Sequence, residues 1–251
     1  MKTKREEKTE IIVFPSQEEM CQKAAAEIID SLKENSRQLL CIAAGHTSLG
    51  VFRELVRRFR AGEMDLSEAS FVAMDEWTGM DAATEGSCGW LLETEFLSKV
   101  NHPADRVFLW DGKAQDQARE CERAADFIRK NSRYGTIDHL VLGVGMNGHL
   151  ALNEPGTGLD ERAHVAALDA ITADVGQKYF KKATALGAGL TLGLADFREA
   201  RRSVLMISGE KKRDICRKIR DASCFQADLP ATAVYEFENA SIYCDKAAAD
   251  D

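Results

Sequence analysis

The stretch His139-Leu140-Val141-Leu142-Gly143-Val144-Gly145-Met146-Asn147-Gly148-His149 is an apolar run of strand length that passes, without alternation, into closely spaced glycines. Such a run suits a strand buried on both faces, as parallel strands are, and the glycines let the following turn approach a ligand. Short apolar runs of the same kind recur at residues 11–14, 39–43, 71–74, 107–109, 203–208 and 241–244, and the first of them now reads as strand by the same logic. Between them lie stretches with helical periodicity at 49–61, 90–100, 115–129 and 211–219. Ser16-Gln17-Glu18-Glu19 has the spacing of a capping box, and Ala24, Ile28, Ile29 and Leu32 then predict a helix of about five turns. The alternation predicts an α/β fold: a mostly parallel sheet with helices on both faces. In open sheets of this type ligands bind beyond the carboxyl ends of the strands.

The 251 residues are expected to form a single domain over 1–251, with residues 1–9 as a flexible leader. Lysine and arginine number 33 against 41 acids, a net charge of −8, which disfavours nucleic acid and anionic membrane surfaces as partners. The seven cysteines are odd in number and scattered without a CxxC pair, as suits free thiols in a reducing compartment. The charged amino terminus lacks the apolar stretch of a signal peptide, so the expected location is cytoplasmic.

Three strand ends carry unusual chemistry. Ala44-Gly45-His46-Thr47-Ser48-Leu49-Gly50 passes through glycine into a helix start, where unpaired N–H groups suit a phosphate; an ordinary turn capped by Thr47 or Ser48 fits equally. Met74-Asp75-Glu76-Trp77 places two acids after an apolar strand, fit for a general base, for a solvated loop or for a helix cap. The third, residues 143–156, sets His149 among glycines with Glu154 five residues on and Pro155 fixing the turn. A carboxylate within reach of the imidazole would fix its tautomer.

These motifs resemble those of the glucosamine-6-phosphate deaminase family, also called the glucosamine/galactosamine-6-phosphate isomerases. The similarity runs in order through AGHTSLG, FVAMDEW, GVGMNGHLALNEPG, Gly187-Ala188-Gly189-Leu190-Thr191 and Ser208-Gly209-Glu210-Lys211 to the closing IYCDKAA. The Asn153-Glu154-Pro155 segment is the specific part, because the related 6-phosphogluconolactonases carry a Ser-Leu-Phe-Pro type stretch after the histidine.

The resemblance implies a modified Rossmann-like sheet and conversion of a 2-amino-2-deoxyhexose 6-phosphate to the ketose 6-phosphate plus ammonia, with no metal and no cofactor. It implies His149 as the acid/base that opens the sugar ring, supported by Asn147 and Glu154. Asp75 becomes the base that moves a proton from C2 to C1, and Glu76 is structural. The phosphate is expected on Gly45, His46, Thr47 and Ser48, with Lys211 adding charge. Where many members carry Asp, Tyr and a small loop residue, this chain has Asn147, Trp77 and His46. The family's phosphate-binding arginine has no counterpart: Ala173 aligns with it, and Lys178 and Lys181 are the possible substitutes. Asp-Glu-Trp together with Glu85-Gly86-Ser87-Cys88 leans toward the galactosamine branch. Arg162 stands where allosteric members have a basic cluster, but His164 and Ala166 take the other positions, so unactivated kinetics are expected. Two alternatives remain at this stage: a 6-phosphogluconolactonase-type hydrolase and a non-catalytic sugar-phosphate sensor. The sequence leaves the oligomeric state open.

Overall fold

The computed structural model describes residues 9–249, so the expected leader lies largely outside the described residues. In chain order the elements are β1 (Glu10–Phe14), α1 (Gln17–Glu34), β2 (Leu39–Ile42), α2 (Leu49–Arg60), β3 (Ser70–Val72), β4 (Asp75–Trp77), α3 (Cys88–Glu95), β5 (Val107–Phe108) and α4 (Gln117–Asn131). They continue as β6 (His139–Gly143), β7 (His164–Ala167), α5 (Ala170–Gly176), β8 (Ala188–Thr191), α6 (Leu194–Arg198), β9 (Arg202–Ile207), α7 (Arg213–Asp221), β10 (Ala240–Asp245) and α8 (Lys246–Ala249). The Ser16 hydroxyl accepts from the Glu19 N–H at 3.2 Å, which starts α1 where the capping pattern predicts.

Seven strands form a parallel sheet in the order β1-β10-β9-β6-β2-β3-β5. The central strands β2 and β6 are Leu-, Ile- and Val-rich, and all of β2 is buried. That is why they read as unbroken apolar runs rather than alternating ones. Successive connections step one way from β2 to β3 and β5, then return to β6 on the other side of β2 and step outward through β9 to β10. With right-handed crossovers, this reversal sends the connecting helices to opposite faces. It also opens a crevice between the carboxyl ends of β2 and β6, the switch point where such sheets bind ligands.

A second sheet corrects the expectation for the Asp-Glu pair. Asp75-Glu76-Trp77 is no loop: it is β4, the edge of a three-stranded antiparallel sheet ordered β4-β8-β7. Asp75 lies opposite Thr191, so the small sheet carries Asp75 over the end of the large one. A second apolar cluster of Trp77, Met80, Cys88, Leu152, Ala166 and Leu186 fills the space beneath, with Ala44 and Phe180 against it. The helix expected at 90–100 starts two residues earlier, at Cys88, and ends as a 3-10 turn over Leu97–Lys99.

Candidate active site

Glycine packing sets the position of His149. The Gly145 N–H bonds the His149 carbonyl at 2.9 Å, and a Cβ at Gly145 would stand 2.3 Å from the imidazole, so the ring lies directly on the glycine. Gly148 has φ +89, and a Cβ there would meet Leu229 Cδ1 at 2.3 Å. Gly145 is therefore required by close approach to the ring, and Gly148 by its backbone conformation.

The imidazole Nδ1 is 2.9 Å from Thr172 Oγ1 and 3.5 Å from Glu154 Oε2. Asn147 completes the group, its Nδ2 donating to Glu154 Oε2 at 2.7 Å and its Oδ1 accepting the His149 N–H at 3.2 Å. Burial pushes the Glu154 carboxyl up, but hydrogen bonds from His149, Thr172 and Asn147 together with the imidazole's charge outweigh it and leave the group below its usual range. An ionised carboxylate beside Nδ1 favours a proton on that nitrogen and leaves Nε2 for a ligand. Thr172, buried on α5, is a member of this site that no local motif announces.

Asn153 and Thr191 join the His149 loop to Asp75. Asn153 is fully buried and its Nδ2 donates to the carbonyls of Leu150 and Leu192, both at 2.9 Å, while Leu152 N–H donates to Thr191 Oγ1 at 3.3 Å. Thr191 is the residue paired with Asp75 across β4 and β8. Burial pushes the half-buried Asp75 carboxyl up to about 7, reinforced by the Glu76 charge and opposed by the Cys88 thiol that donates toward it. Glu76 has a different task. Fully buried, it accepts the N–H groups of Trp77 (2.8 Å), Cys88 (3.1 Å) and Gly89 (2.8 Å), fixing the start of α3.

The loop after β2 differs from a row of four free amides. Ser48 N–H and Leu49 N–H both bond the Gly45 carbonyl, at 3.0 and 3.2 Å, and the His46 N–H faces the Tyr179 hydroxyl. The amides of Gly45 and Thr47 make no hydrogen bond among the described residues. Neither expected side-chain cap forms: Ser48 is the N-cap residue of α2 without a side-chain bond, and among the described residues its buried hydroxyl has no partner.

Lysines gather near this loop. Burial and the neighbouring Lys211 lower the Lys178 ammonium's pKa; burial and Lys178 bring that of Lys212 down to about 8. Lys212 Nζ also donates to the Val144 carbonyl at 2.6 Å, reaching the loop that holds His149. None of the three forms an ion pair among the described residues. Lys181 is instead paired with Glu85 at 2.7 Å on the surface, which removes it as the arginine substitute. Arg162 is neutralised by Asp196 at 3.1 Å and by Glu199. Among the described residues no three His, Cys, Asp or Glu side chains are grouped to hold a metal ion.

The family of glucosamine-6-phosphate isomerases/6-phosphogluconolactonase matches residues 15–243. The chain belongs to this family. A glucosamine-6-phosphate deaminase of Bacillus velezensis is 30% identical over 240 residues, covering 95% of this chain and 98% of the relative. Glucosamine-6-phosphate deaminase 1 of Bacillus subtilis is 29% identical, covering 92% and 95%. A monomeric glucosamine-6-phosphate deaminase superposes with a TM-score of 0.91 at 28% identity, covering 96% and 99%. The 6-phosphogluconolactonase of Thermotoga maritima, with a TM-score of 0.73 at 18% identity over 94% and 97%, shares the fold. In this isomerase/lactonase family member the modified Rossmann-like sheet thus has the expected form. No helix among the described residues is long and apolar enough to cross a membrane.

Proposed function

We propose that the protein converts a 2-amino-2-deoxyhexose 6-phosphate, glucosamine 6-phosphate or its C4 epimer galactosamine 6-phosphate, to the ketose 6-phosphate and ammonia. The observation that carries this reading is the pairing, at the switch point, of two acid/base groups tuned in different ways. Asp75 has its carboxyl held near 7 by burial, and His149 has Nδ1 committed to Thr172 and Glu154. A lactonase needs only one proton carrier, whereas ring opening followed by proton transfer between carbons needs two.

His149 takes the proton from the C1 hydroxyl and returns it to the ring oxygen as that C–O bond breaks. Asp75 then removes the C2 proton: the C–H electron pair becomes the C1–C2 double bond of an enediol-type enolamine, and the C1–O π pair moves to O1, which takes a proton from the neighbouring C2 ammonium group. Returning the proton from Asp75 to C1 draws the nitrogen lone pair into an iminium at C2; water adds there, a proton passes from the added oxygen to nitrogen, and the C–N bond breaks to release ammonia as the ketone forms and its last proton passes to solvent. Asp75, His149, the substrate's own amine and water carry every proton in this sequence, so the proposed steps call for no cofactor. The phosphate rests on the Gly45 and Thr47 amides, with Lys178, Lys211 and Lys212 supplying positive charge; anchoring it converts binding energy into alignment of C1 and C2 with Asp75. Lys178 is the substitute for the missing arginine. We read the chain as one cytoplasmic domain, with free thiols throughout its described part.

Ammonia release from both epimers, assayed beside 6-phosphogluconolactone hydrolysis, tests the reading. Ammonia from at least one epimer is expected, with a hyperbolic rate curve that N-acetylglucosamine 6-phosphate leaves unchanged. Lactone turnover without ammonia would overturn it.

A further inference from the structure

The segment from α5 to Phe180 is fastened over the cleft at three points. Thr172 bonds His149 at 2.9 Å; at Gly176 a Cβ would lie 3.2 Å from the Trp77 ring; and at Gly86 a Cβ would lie 2.5 Å from the Tyr179 carbonyl oxygen and 2.7 Å from the Phe180 ring. Gly86 has φ +91 as well, so the Gly86–Cys88 turn and the Tyr179–Phe180 backbone fit together only with glycine there. These contacts fix the backbone from which the Tyr179 side chain projects.

The phenol ring is half-buried, with Lys178 Nζ 4.9 Å from its centroid. Its hydroxyl oxygen faces the His46 N–H in the phosphate loop, and the Cys88 thiol and the Asp75 carboxylate are the acidic groups around it. A phenol has one proton to donate, and among the described residues that proton has no acceptor. Burial and the acidic neighbours hold it on the oxygen, pushing the phenol's pKa up to about 12, so the group is a donor at any working pH.

We infer that the Tyr179 hydroxyl donates a hydrogen bond to a hydroxyl on the middle carbons of the sugar, between the carbons handled by Asp75 and the anchored phosphate. The inference rests on the functional reading above and adds a specificity residue to it. A hexose phosphate laid between Asp75 and the Gly45 loop presents its C3 and C4 hydroxyls along that span, and Tyr179 bridges the same two groups. A site built to hydrogen-bond a substrate hydroxyl discriminates strongly once that bond is removed, because a polar group is left unpaired.

Tyr179→Phe keeps the ring, its packing and the Lys178 contact, and removes the donor together with the oxygen that faces the His46 N–H. The experiment compares wild type and variant in kcat/KM for each amino-sugar phosphate, in the Kd of the same sugars by calorimetry, and in the inhibition constant of inorganic phosphate. Expected are a loss of about ten- to a hundredfold in kcat/KM, a comparable weakening of sugar-phosphate binding, and a phosphate constant unchanged within about twofold. Two results would overturn the inference: sugar constants that stay within twofold, or phosphate binding that weakens as much as sugar binding. The second would mean that Tyr179 merely supports the loop through His46. Absence of ammonia release in the wild type would sink the functional reading, and the binding comparison would still decide the role of Tyr179.

Discussion

Burial and the Glu76 charge hold the Asp75 carboxyl at about 7, so near neutrality a large share of molecules carry it protonated. A base must be ionised to accept a proton. Raising its pKa therefore moves the loss of activity upward on the acid side: kcat/KM is expected to fall as pH drops through about 7 and to level off above it. Asp75→Asn removes the proposed base at every pH, and kcat should fall by roughly 10²–10⁴-fold while sugar-phosphate binding persists. A pH–rate profile checks both statements, and an acid limb near 4, or an Asn variant that keeps most of its turnover, contradicts them. Asp75, His149 and Glu154 are legible in the sequence because each sits at a strand end beside glycine, aromatic or proline residues. Lys178 enters only through the resemblance, as one of two possible arginine substitutes, and Thr172, Lys212 and Tyr179 are not legible, since nothing near them in sequence marks them. Thr172 reaches His149 across 23 residues, and Tyr179 meets the His46 loop only in the folded chain.

At the scale of elements, Glu76 shows how two adjacent acids separate their tasks. On a three-residue strand neighbouring side chains point to opposite faces. Glu76 turns in to cap α3 and Asp75 turns toward the cleft. The strand itself is invisible in the sequence because three residues give no alternation to detect, and its partner β8 is the short Ala188-Gly189-Leu190-Thr191. The longer strands and helices, by contrast, end within a few residues of where periodicity and capping place them. Glu76→Gln retains size but puts an amide hydrogen against backbone N–H groups, so it should cost on the order of 1–3 kcal/mol of stability. It also removes the charge that helps raise Asp75, so the acid limb of kcat/KM should move to lower pH. Urea unfolding together with the pH profile measures both effects. An unmoved limb would mean that burial alone sets the Asp75 carboxyl.

For the whole molecule, the alternation of runs predicts parallel strands but cannot give their order, because order is decided by which edges pack, and β1 joins the sheet beside β10, the last strand in the chain. The same global packing buries His139 and the ring nitrogens of His102, neither of which belongs to the His149 group. His139 opens β6 and is 2% exposed, and among the described residues both ring nitrogens of His139 and of His102 lack hydrogen-bond partners. Burial drives each imidazole down to about 4; Arg202 adds to this at His139 against an opposing pull from Glu27, and Arg106 adds to it at His102. These groups are neutral when folded, while in the unfolded chain they titrate near 6.5. Between about pH 6.5 and 4 the unfolded state therefore binds more protons, and stability falls as pH falls. Asp75 acts in the opposite sense, since its raised carboxyl takes up a proton more readily in the folded state, so the total slope does not isolate the histidines. A variant does. Relative to His139→Leu, the wild type should lose about 2 kcal/mol more unfolding free energy between pH 7 and pH 5, from a shift of this size in one fully buried group. Denaturant melts of both proteins at the two pH values give the difference directly, and equal losses would place a proton on His139 in the folded protein.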